Sequence, residues 1–361
     1  MIPFLDLRDG YLELKNEIDT AVLRVLDSGW YILGEEVEGF EAEWANFCGV
    51  EHAVGVANGL DALVLSLRVL GVGPGDEVIV PSHTFIATWL AVSAVGAKPV
   101  PVEPDCKTYN IDPSRLASAI TERTRAIIPV HLYGQPADLD PILEIARDRG
   151  IAVVEDAAQS HGAKYKGKRI GGASDLVCWS FYPGKNLGAF GDGGAITTNR
   201  PDLAEKLREL RNYGSKKKYV NSVAGVNSRL DPVQAAVLRV KLRHLDDWNE
   251  RRNAIAELYS VALAGSGLVL PTVSNWAESA WHLYVVSSPN RDHLMSVLKD
   301  AGIGTQIHYP IPPHMQEAFQ GSNFTPEQFP LAQKLAGEVF SLPMGPHVPT
   351  NVADDVRRAI G

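Results

Sequence analysis

Three cysteines, Cys48, Cys106 and Cys178, are all that the 361 residues contain, and no two of them have metal-ligand spacing. So sparse and odd a set argues against a disulfide framework; reduced, mostly buried thiols of an intracellular protein are expected, and no metal site. Basic side chains are in deficit, 34 against 43 acidic ones, for a net charge of −9. That balance argues against gripping nucleic acid or an anionic membrane, although a local cluster can still hold a small phosphate. No apolar stretch approaches the ~20 residues that span a bilayer. The opening Met1–Asp6 has no basic run leading into an apolar one, so no signal peptide is expected and the expected location is cytoplasmic. Repeats and low-complexity segments are absent. So are the Walker pattern and any Gly-x-Gly-x-x-Gly after a strand, which leaves nucleotide hydrolysis and nicotinamide binding with little support.

What is present is an ordinary globular composition, long enough to bury a large core without staples. Leu14, Ile18, Val22, Val25 and Leu26 recur at helical spacing until Ser28-Gly29. A second amphipathic run carries Val37, Phe40, Trp44 and Phe47 and ends at Gly49. Short apolar strands then alternate with helices: strands are expected near 53–57, 77–81, 98–102, 126–131, 151–155, 177–181 and 194–198. Continuous apolar strands separated by helices predict an α/β fold with a mostly parallel sheet covered on both faces. Asp231-Pro232 reads as the start of one helix of roughly thirty residues, longer than most globular helices. It is expected to act as a strut between a large domain, 1–245, and a small α+β domain, 246–361. In the latter, strands are predicted over 282–287 and 304–308, and helices over 291–301, 326–340 and 352–360.

In an open α/β sheet, ligands bind beyond the carboxyl ends of the strands. Asp156, Ser180, His131 with Tyr133, and the Asn58-Gly59 turn all follow predicted strands. The Gly59 turn reads either as an anion site at a helix start or as a plain tight turn. Between Ser180 and Gly194 one lysine, Lys185, sits in a glycine-rich loop joining two buried strands. Alone it is as readily an ordinary loop lysine as a Schiff-base former with a depressed pKa. In combination the reading sharpens. Pyridoxal phosphate needs an amine for its aldehyde, a carboxylate for its pyridine nitrogen, donors for its phosphate and a flat apolar face. Lys185, Asp156, the Gly59 turn with Ser180, and Phe85 offer these four.

The motifs that carry a resemblance are 57–63 (Ala-Asn-Gly-Leu-Asp-Ala-Leu), 84–88 (Thr-Phe-Ile-Ala-Thr), 131–135 (His-Leu-Tyr-Gly-Gln), 155–162 (Glu-Asp-Ala-Ala-Gln-Ser-His-Gly), the lysine loop and 225–231 (Gly-Val-Asn-Ser-Arg-Leu-Asp). Over essentially its whole length the chain resembles the DegT-like sugar-nucleotide aminotransferases of the aspartate aminotransferase fold. The resemblance implies a pyridoxal-phosphate transferase of fold type I, with a seven-stranded, mostly parallel sheet between helices and a small C-terminal domain. It implies that Lys185 bonds the cofactor's aldehyde carbon and then shuttles the proton. Asp156 would pair with the ring nitrogen, Gln159 with the phenolic oxygen, and Phe85 would cover one face. Ser180 and the backbone of Gly59 and Leu60 would hold the phosphate, and Asn227 would reach it from a neighbouring subunit, making the active unit a homodimer with shared sites. Leu60 departs from the threonine common at its position, so a hydroxyl contact is lost there. Some relatives carry histidine in place of the lysine and dehydrate instead; Lys185 favours transamination.

The same resemblance points to a nucleotide-linked 3-keto-6-deoxyhexose, on thymidine diphosphate, as amino acceptor and L-glutamate as donor. Tyr182, Lys218 of the Lys216–Lys218 cluster, His308, Tyr309 and His161 are the candidate substrate residues. Each also has a plainer reading, as a packed or solvated side chain. Amination at ring carbon 4 or of another nucleotide sugar stays open, as does a regulatory protein that keeps the cofactor and catalyses little.

Overall fold

The computed structural model describes residues 1–322 and 324–361. Asp6 caps the first helix, α1 (Leu7–Glu13), by accepting the Arg8 N–H at 2.7 Å. The second, α2 (Lys15–Ser28), buries Ile18, Ala21 and Val25, the periodic positions the sequence marks. The third, α3 (Glu35–Cys48), stops at Gly49, whose φ of +70° suits a residue without a Cβ. There the Val50 N–H turns back to Ala45 O at 3.0 Å and closes the helix end.

The α/β body follows as β1 (His52–Val56), α4 (Gly59–Val69), β2 (Glu77–Pro81), α5 (Ala87–Ala94), β3 (Lys98–Val102), β4 (Thr124–Ile127), α6 (Leu139–Arg149), β5 (Ala152–Asp156), β6 (Leu176–Ser180), β7 (Gly194–Thr198) and α7 (Pro201–Leu210). The seven strands form one sheet in the order β1-β7-β6-β5-β4-β2-β3. Pairs from β3 to β6 are parallel, whereas β7 lies antiparallel between β6 and β1. Six strands thus share a direction, and six carboxyl ends meet at one edge.

Strand alternation decides what each face carries. Val177 and Trp179 of β6 join Phe40, Trp44 and Leu238 in the core on one face. Leu176 and Cys178 join Leu63, Leu67, Val154 and Trp89 beneath α4 and α5 on the other. By the same parity Asp156 and Ser180 emerge on the α4–α5 face, and Glu155 emerges on the opposite one. Trp44 is fully buried, in edge contact with Trp179 at 4.9 Å between ring centroids. Truncating such a residue to alanine costs about 3–5 kcal/mol. Cys48 and Cys178 are buried, while Cys106 is exposed.

The long strut helix divides. The structure has α8 (Pro232–Leu242) and α9 (Leu245–Ala262), separated where the N–H groups of Arg243 and His244 reach back three residues, to Val240 and Lys241. Asp246 and Asp247 lie in the first turn of α9, where acidic side chains suit the positive end of a helix. They were the signal that a second helix begins. Beyond it come β8 (Tyr284–Ser287), α10 (Arg291–Asp300), α11 (Pro330–Glu338), β9 (Val339–Leu342) and α12 (Val352–Ile360). The helix expected over 326–340 is therefore shorter. Val339 and Phe340 leave it to pair with β8, antiparallel from Tyr284↔Leu342 to Ser287↔Val339. Cross-strand packing of β-branched and aromatic residues outweighs helical periodicity there. The strand expected over 304–308 is a single bridge, Gln306 to Ser341, because Ile303 pairs instead with Ile2. Tyr259, Tyr284, Phe340 and Val356 centre the core of this C-terminal part. Glu103, at the end of β3, accepts the N–H groups of Leu331 and Ala332 at 2.9 and 3.0 Å and so ties α11 to the large sheet. Among the described residues no helix is long and apolar enough to cross a membrane.

Candidate active site

A cleft of about 1000 Å³ opens at the carboxyl edge of the sheet, with Asp156, Ser180, Lys185, Gly59, Leu60 and Phe85 on its walls. Gln159, Tyr182, His308 and Tyr309 line it too. The N-terminal segment closes one side. Ile2 exchanges backbone bonds with Gly302 and Gly304, each at 2.8 Å, which lays Phe4 and Leu5 against the cleft.

Lys185 rides on a loop, 181–193, that leaves β6 and re-enters the sheet as β7. Both feet of the loop stand on the active edge and are bonded together, the Phe181 N–H reaching Gly193 O at 2.8 Å, while from mid-loop the Ala189 N–H returns to Phe181 O at 2.8 Å. Burial pushes the Lys185 amine down to about 8, with the Asp156 charge opposing. At pH 7.5 about a quarter of such an amine is neutral, against about a thousandth at a pKa of 10.5. That is the condition a nucleophile and proton carrier requires.

Asp156 is 6% exposed. Burial raises its pKa; a Thr88 hydroxyl on Oδ2 at 2.9 Å, the Ala158 N–H on Oδ1 at 3.2 Å and the Lys185 charge oppose that rise. The Thr88 proton is committed to Asp156, so in the 3.1 Å contact between Thr84 and Thr88 it is Thr84 that donates. A cation placed against this carboxylate would bring its pKa down. On the other face Glu155 and His131 form a fully buried pair, Nε2 to Oε2 at 2.7 Å. His131 Nδ1 accepts the Ala137 N–H at 3.0 Å, so Nε2 holds the proton and donates it to Glu155.

At the head of α4 the Asn58 side chain accepts the Asp61 N–H at 2.8 Å, and the Ala62 N–H bonds Asn58 O at 3.1 Å. The N–H groups of Gly59 and Leu60 are then those no helix carbonyl reaches, and they face the cleft beside Ser180. A Cβ on Gly59 would lie 2.6 Å from Ser180 Cβ, so the approach that shapes this cradle needs glycine. A phosphate fits the cradle, a protonated pyridine nitrogen fits Asp156, and an aldehyde fits Lys185. Phe85, half-exposed and 5.4 Å between centroids from Tyr309, offers a ring face. The residues present thus fit pyridoxal phosphate.

Gln159 is fixed from two sides. Its Oε1 accepts the Tyr133 N–H at 2.6 Å, and its Nε2 donates to Tyr309 Oη at 2.9 Å. Tyr133 in turn donates its hydroxyl proton to the His308 carbonyl and accepts from His83 Nε2 at 2.8 Å. His308 contacts Ser341 Oγ through Nδ1 at 2.8 Å, and burial pushes its pKa down to about 4. Thr88 and His83 support the site residues without having been singled out, and Tyr133, noted only for following a strand, supports them too; the Thr84-x-x-x-Thr88 spacing was a readable sign of the first.

Three expected residues stand elsewhere. His161 is fully buried among Trp44, Trp179 and Phe181, away from the cleft wall, so it does not reach substrate. Neither of its ring nitrogens has a partner in hydrogen-bond geometry. Burial takes its pKa down to about 3; the Lys185 charge adds to this and the Ser180 backbone opposes it. Lys218 is exposed over the Tyr219 ring, 5.2 Å from its centroid. Asn227 is exposed and bridges Asn212 through its backbone. Neither lines the cleft of its own chain.

The chain is 59% identical over 356 residues to the erythromycin biosynthesis sensory transduction protein EryC1 of Saccharopolyspora erythraea, covering 98% of this chain and 97% of that one. It is 56% identical over 348 residues to the dTDP-3-amino-3,4,6-trideoxy-alpha-D-glucose transaminase of Streptomyces venezuelae, covering 96% and 92%. Among solved structures, that of S. venezuelae DesV in complex with a ketimine intermediate superposes with a TM-score of 0.98 at 55% identity, covering 99% and 97%. The model of the DegT/DnrJ/EryC1/StrS aminotransferases matches residues 12–361. With that match spanning a chain whose cleft joins a desolvated lysine, a buried aspartate and a phosphate cradle, the protein belongs to the DegT/DnrJ/EryC1/StrS aminotransferase family.

Proposed function

We propose that this aminotransferase moves the amino group of L-glutamate to a 3-keto-6-deoxyhexose carried on thymidine diphosphate, giving a dTDP-3-amino-3,6-dideoxyhexose. The observation that carries the reading is the convergence of Lys185, Asp156, Ser180 and the α4 N-terminus on one edge. The sugar is inferred from the 56% identity to a transaminase named for a dTDP-3-amino sugar. Pyridoxal phosphate, when bound, supplies an aldehyde that takes and returns the amino group and a ring that stores the electron pair of the deprotonated carbon.

In this reading the chain's residues do the following. The N–H groups of Gly59 and Leu60 and the Ser180 hydroxyl hold the phosphate at the positive end of α4. Asp156, oriented by Thr88, holds a proton at the ring nitrogen. Phe85 packs on the ring, and Gln159 donates to its phenolic oxygen. Lys185, part neutral near pH 7.5, would take the proton from the donor's α-carbon and deliver it to the carbon on the far side of the amino nitrogen, two atoms away; in the second half-reaction the order would reverse for the keto-sugar. Tyr182, His308 and Tyr309 face the space left for the substrates.

Among the described residues on the cleft wall, Lys185 alone carries a lysine or arginine charge. Glutamate brings two carboxylates and the sugar nucleotide a diphosphate. We therefore propose a homodimer in which Lys218 and Asn227 of each copy serve the cleft of the other. Exposed Trp30, Tyr31, Ile32, Tyr213 and Val220 supply apolar surface for the contact. The division into units 1–245 and 246–361 is supported by the helix break at 243–244.

Amination at ring carbon 4, or of another nucleotide sugar, is the competing enzymatic reading. The name of the S. erythraea relative favours a sensory one. The intact, desolvated Lys185 beside Asp156 favours catalysis. Incubating holoprotein with glutamate and a panel of dTDP-, UDP- and GDP-keto-sugars, and locating the new amine by NMR, tests the reading. An amine at carbon 3 of a dTDP-hexose is expected; bleaching of the visible band with no aminated sugar anywhere in the panel would refute the substrate assignment.

A further inference from the structure

Behind Lys185 runs a polar chain that the reaction scheme above does not use. Asn186, next in sequence to the lysine, is 4% exposed and spends both donors of its amide on acceptors: Ala280 O at 2.7 Å and Asn249 Oδ1 at 2.9 Å. Asn249 is itself oriented, because its Nδ2 donates to His161 O at 2.8 Å. Asn186 Oδ1 is therefore an acceptor, and the group that meets it, at 3.1 Å, is Nδ1 of His282. A neutral imidazole has one N–H. Here it must sit on Nδ1, which leaves Nε2 with a free lone pair.

Where that lone pair points is set by His282's place in the fold. His282 lines the same cleft as Lys185, two residues before β8. Its backbone carbonyl, like that of Trp281, receives a proton from buried Arg252. The charged and titratable groups facing the ring are Lys185, Arg252, His308 and His161. All are cationic when charged, and with burial they hold the imidazole neutral, its pKa well below the ordinary histidine value. Among the described residues Nε2 has no partner from the chain in hydrogen-bond geometry, while its neighbour Lys185 carries up to three N–H donors.

We propose that His282 is a positioning residue: Nε2 accepts an N–H of the freed Lys185 amine and parks it facing the reacting carbon, with Asn186 locking the tautomer that makes this possible. No proton changes owner in the contact. The acceptor holds the lysine in place between its two tasks, and a cation could not do so. The sequence Lys185-Asn186 thus pairs a reacting group with the residue that, through His282, orients it.

The proposal rests on the aminotransferase reading, and the test separates the two. Holoprotein is mixed with saturating glutamate and the loss of the visible absorbance is followed by stopped flow. His282→Phe, which keeps bulk and removes the acceptor, is expected to slow the bleaching about 10- to 100-fold with little change in half-saturating glutamate. His282→Gln, which restores an acceptor near Nε2, should recover most of the rate. Independently, 15N-histidine spectra of the wild-type protein without cofactor should show one ring protonated at Nδ1 and bare at Nε2 at neutral pH, a signal absent from His282→Phe. Should the wild type itself fail to bleach, the functional reading fails. A wild type that bleaches alongside a His282→Phe variant of equal rate overturns only the role of His282. A ring protonated at Nε2, or charged at pH 7, overturns it even where the variant does not fold.

Discussion

Replacing Thr88 by valine tests the electrostatics of the site at one atom. The two side chains have nearly the same shape, so packing within α5 is kept, and what is removed is the hydroxyl proton that lies 2.9 Å from Asp156 Oδ2. A hydrogen bond to a charged, buried acceptor is worth about 1.5–3 kcal/mol. Since one pKa unit is about 1.4 kcal/mol, its loss should lift the Asp156 pKa by about 1–2 units beyond the rise burial already imposes. Asp156 then holds the ring nitrogen's proton less firmly, and the carbanion formed in each half-reaction is less stabilised. If half to all of that energy is felt in the transition state, the glutamate half-reaction slows about 3- to 100-fold. Stopped-flow bleaching of holoprotein measures it, and Thr88→Ser, which retains the donor, serves as control. A valine variant that bleaches within twofold of wild type while fully loaded with cofactor would refute the assignment of Thr88, and with it the view that Asp156 works through its charge.

Gly59→Ala should weaken cofactor binding by at least about tenfold, read by fluorescence titration, because the new Cβ would lie 2.6 Å from Ser180 Cβ in the phosphate cradle. Mixing inactive Lys185→Ala with poorly active Asn227→Ala under conditions that exchange subunits should restore about a quarter of wild-type turnover, since half the dimers then hold one intact site of two. No recovery, with mixed dimers verified by mass spectrometry, would place Asn227 outside its neighbour's cleft. His161 binds no proton in the folded state until pH nears 3, whereas the unfolded chain takes one below about 6.5. Folding stability is therefore full above that higher pH and is lost as pH falls towards the lower one. By pH 4.5 the loss from this one ring is up to about 2.7 kcal/mol. His161→Phe should flatten the urea-unfolding profile between pH 7 and 4.5 by an amount of that order, and an unchanged slope would contradict the unpaired, neutral ring.

The cleft was legible in the sequence because its parts end strands. Asp156 closes Ala-Val-Val-Glu, Ser180 closes Leu-Val-Cys-Trp, and Gly59 opens a helix directly after β1; once a mostly parallel sheet is inferred, these residues must share an edge. Alternation along the strands then explains why Asp156 and not Glu155 faces the cleft. His161 was misplaced for the complementary reason. It lies five residues beyond β5, past the reach of strand parity, and the chain there turns beneath the sheet into the aromatic cluster around Trp44. The supports were hidden because they act across long separations: Tyr133 meets the His308 carbonyl 175 residues away, and Asn186 meets His282 96 residues away. No periodicity reports such pairs. In the C-terminal part, Val339 and Phe340 carried a helical pattern that β8 overrode, and only the partner strand reveals it.

Because β7 runs against its neighbours, the excursion from Phe181 to Gly193 departs from and lands on the same margin, its ends clasped by the Phe181–Gly193 backbone bond. Such an excursion closes on the sheet at its base, while its body is held from outside at Asn186, Gly188 and Phe190. Residues added or deleted inside it would shift the amine's reach or angle while every rung of the sheet kept its register. A graft of 181–193 onto another chain of this topology would therefore carry the lysine's orientation only if Asn249, Ala280 and His282, which hold Asn186, came with it.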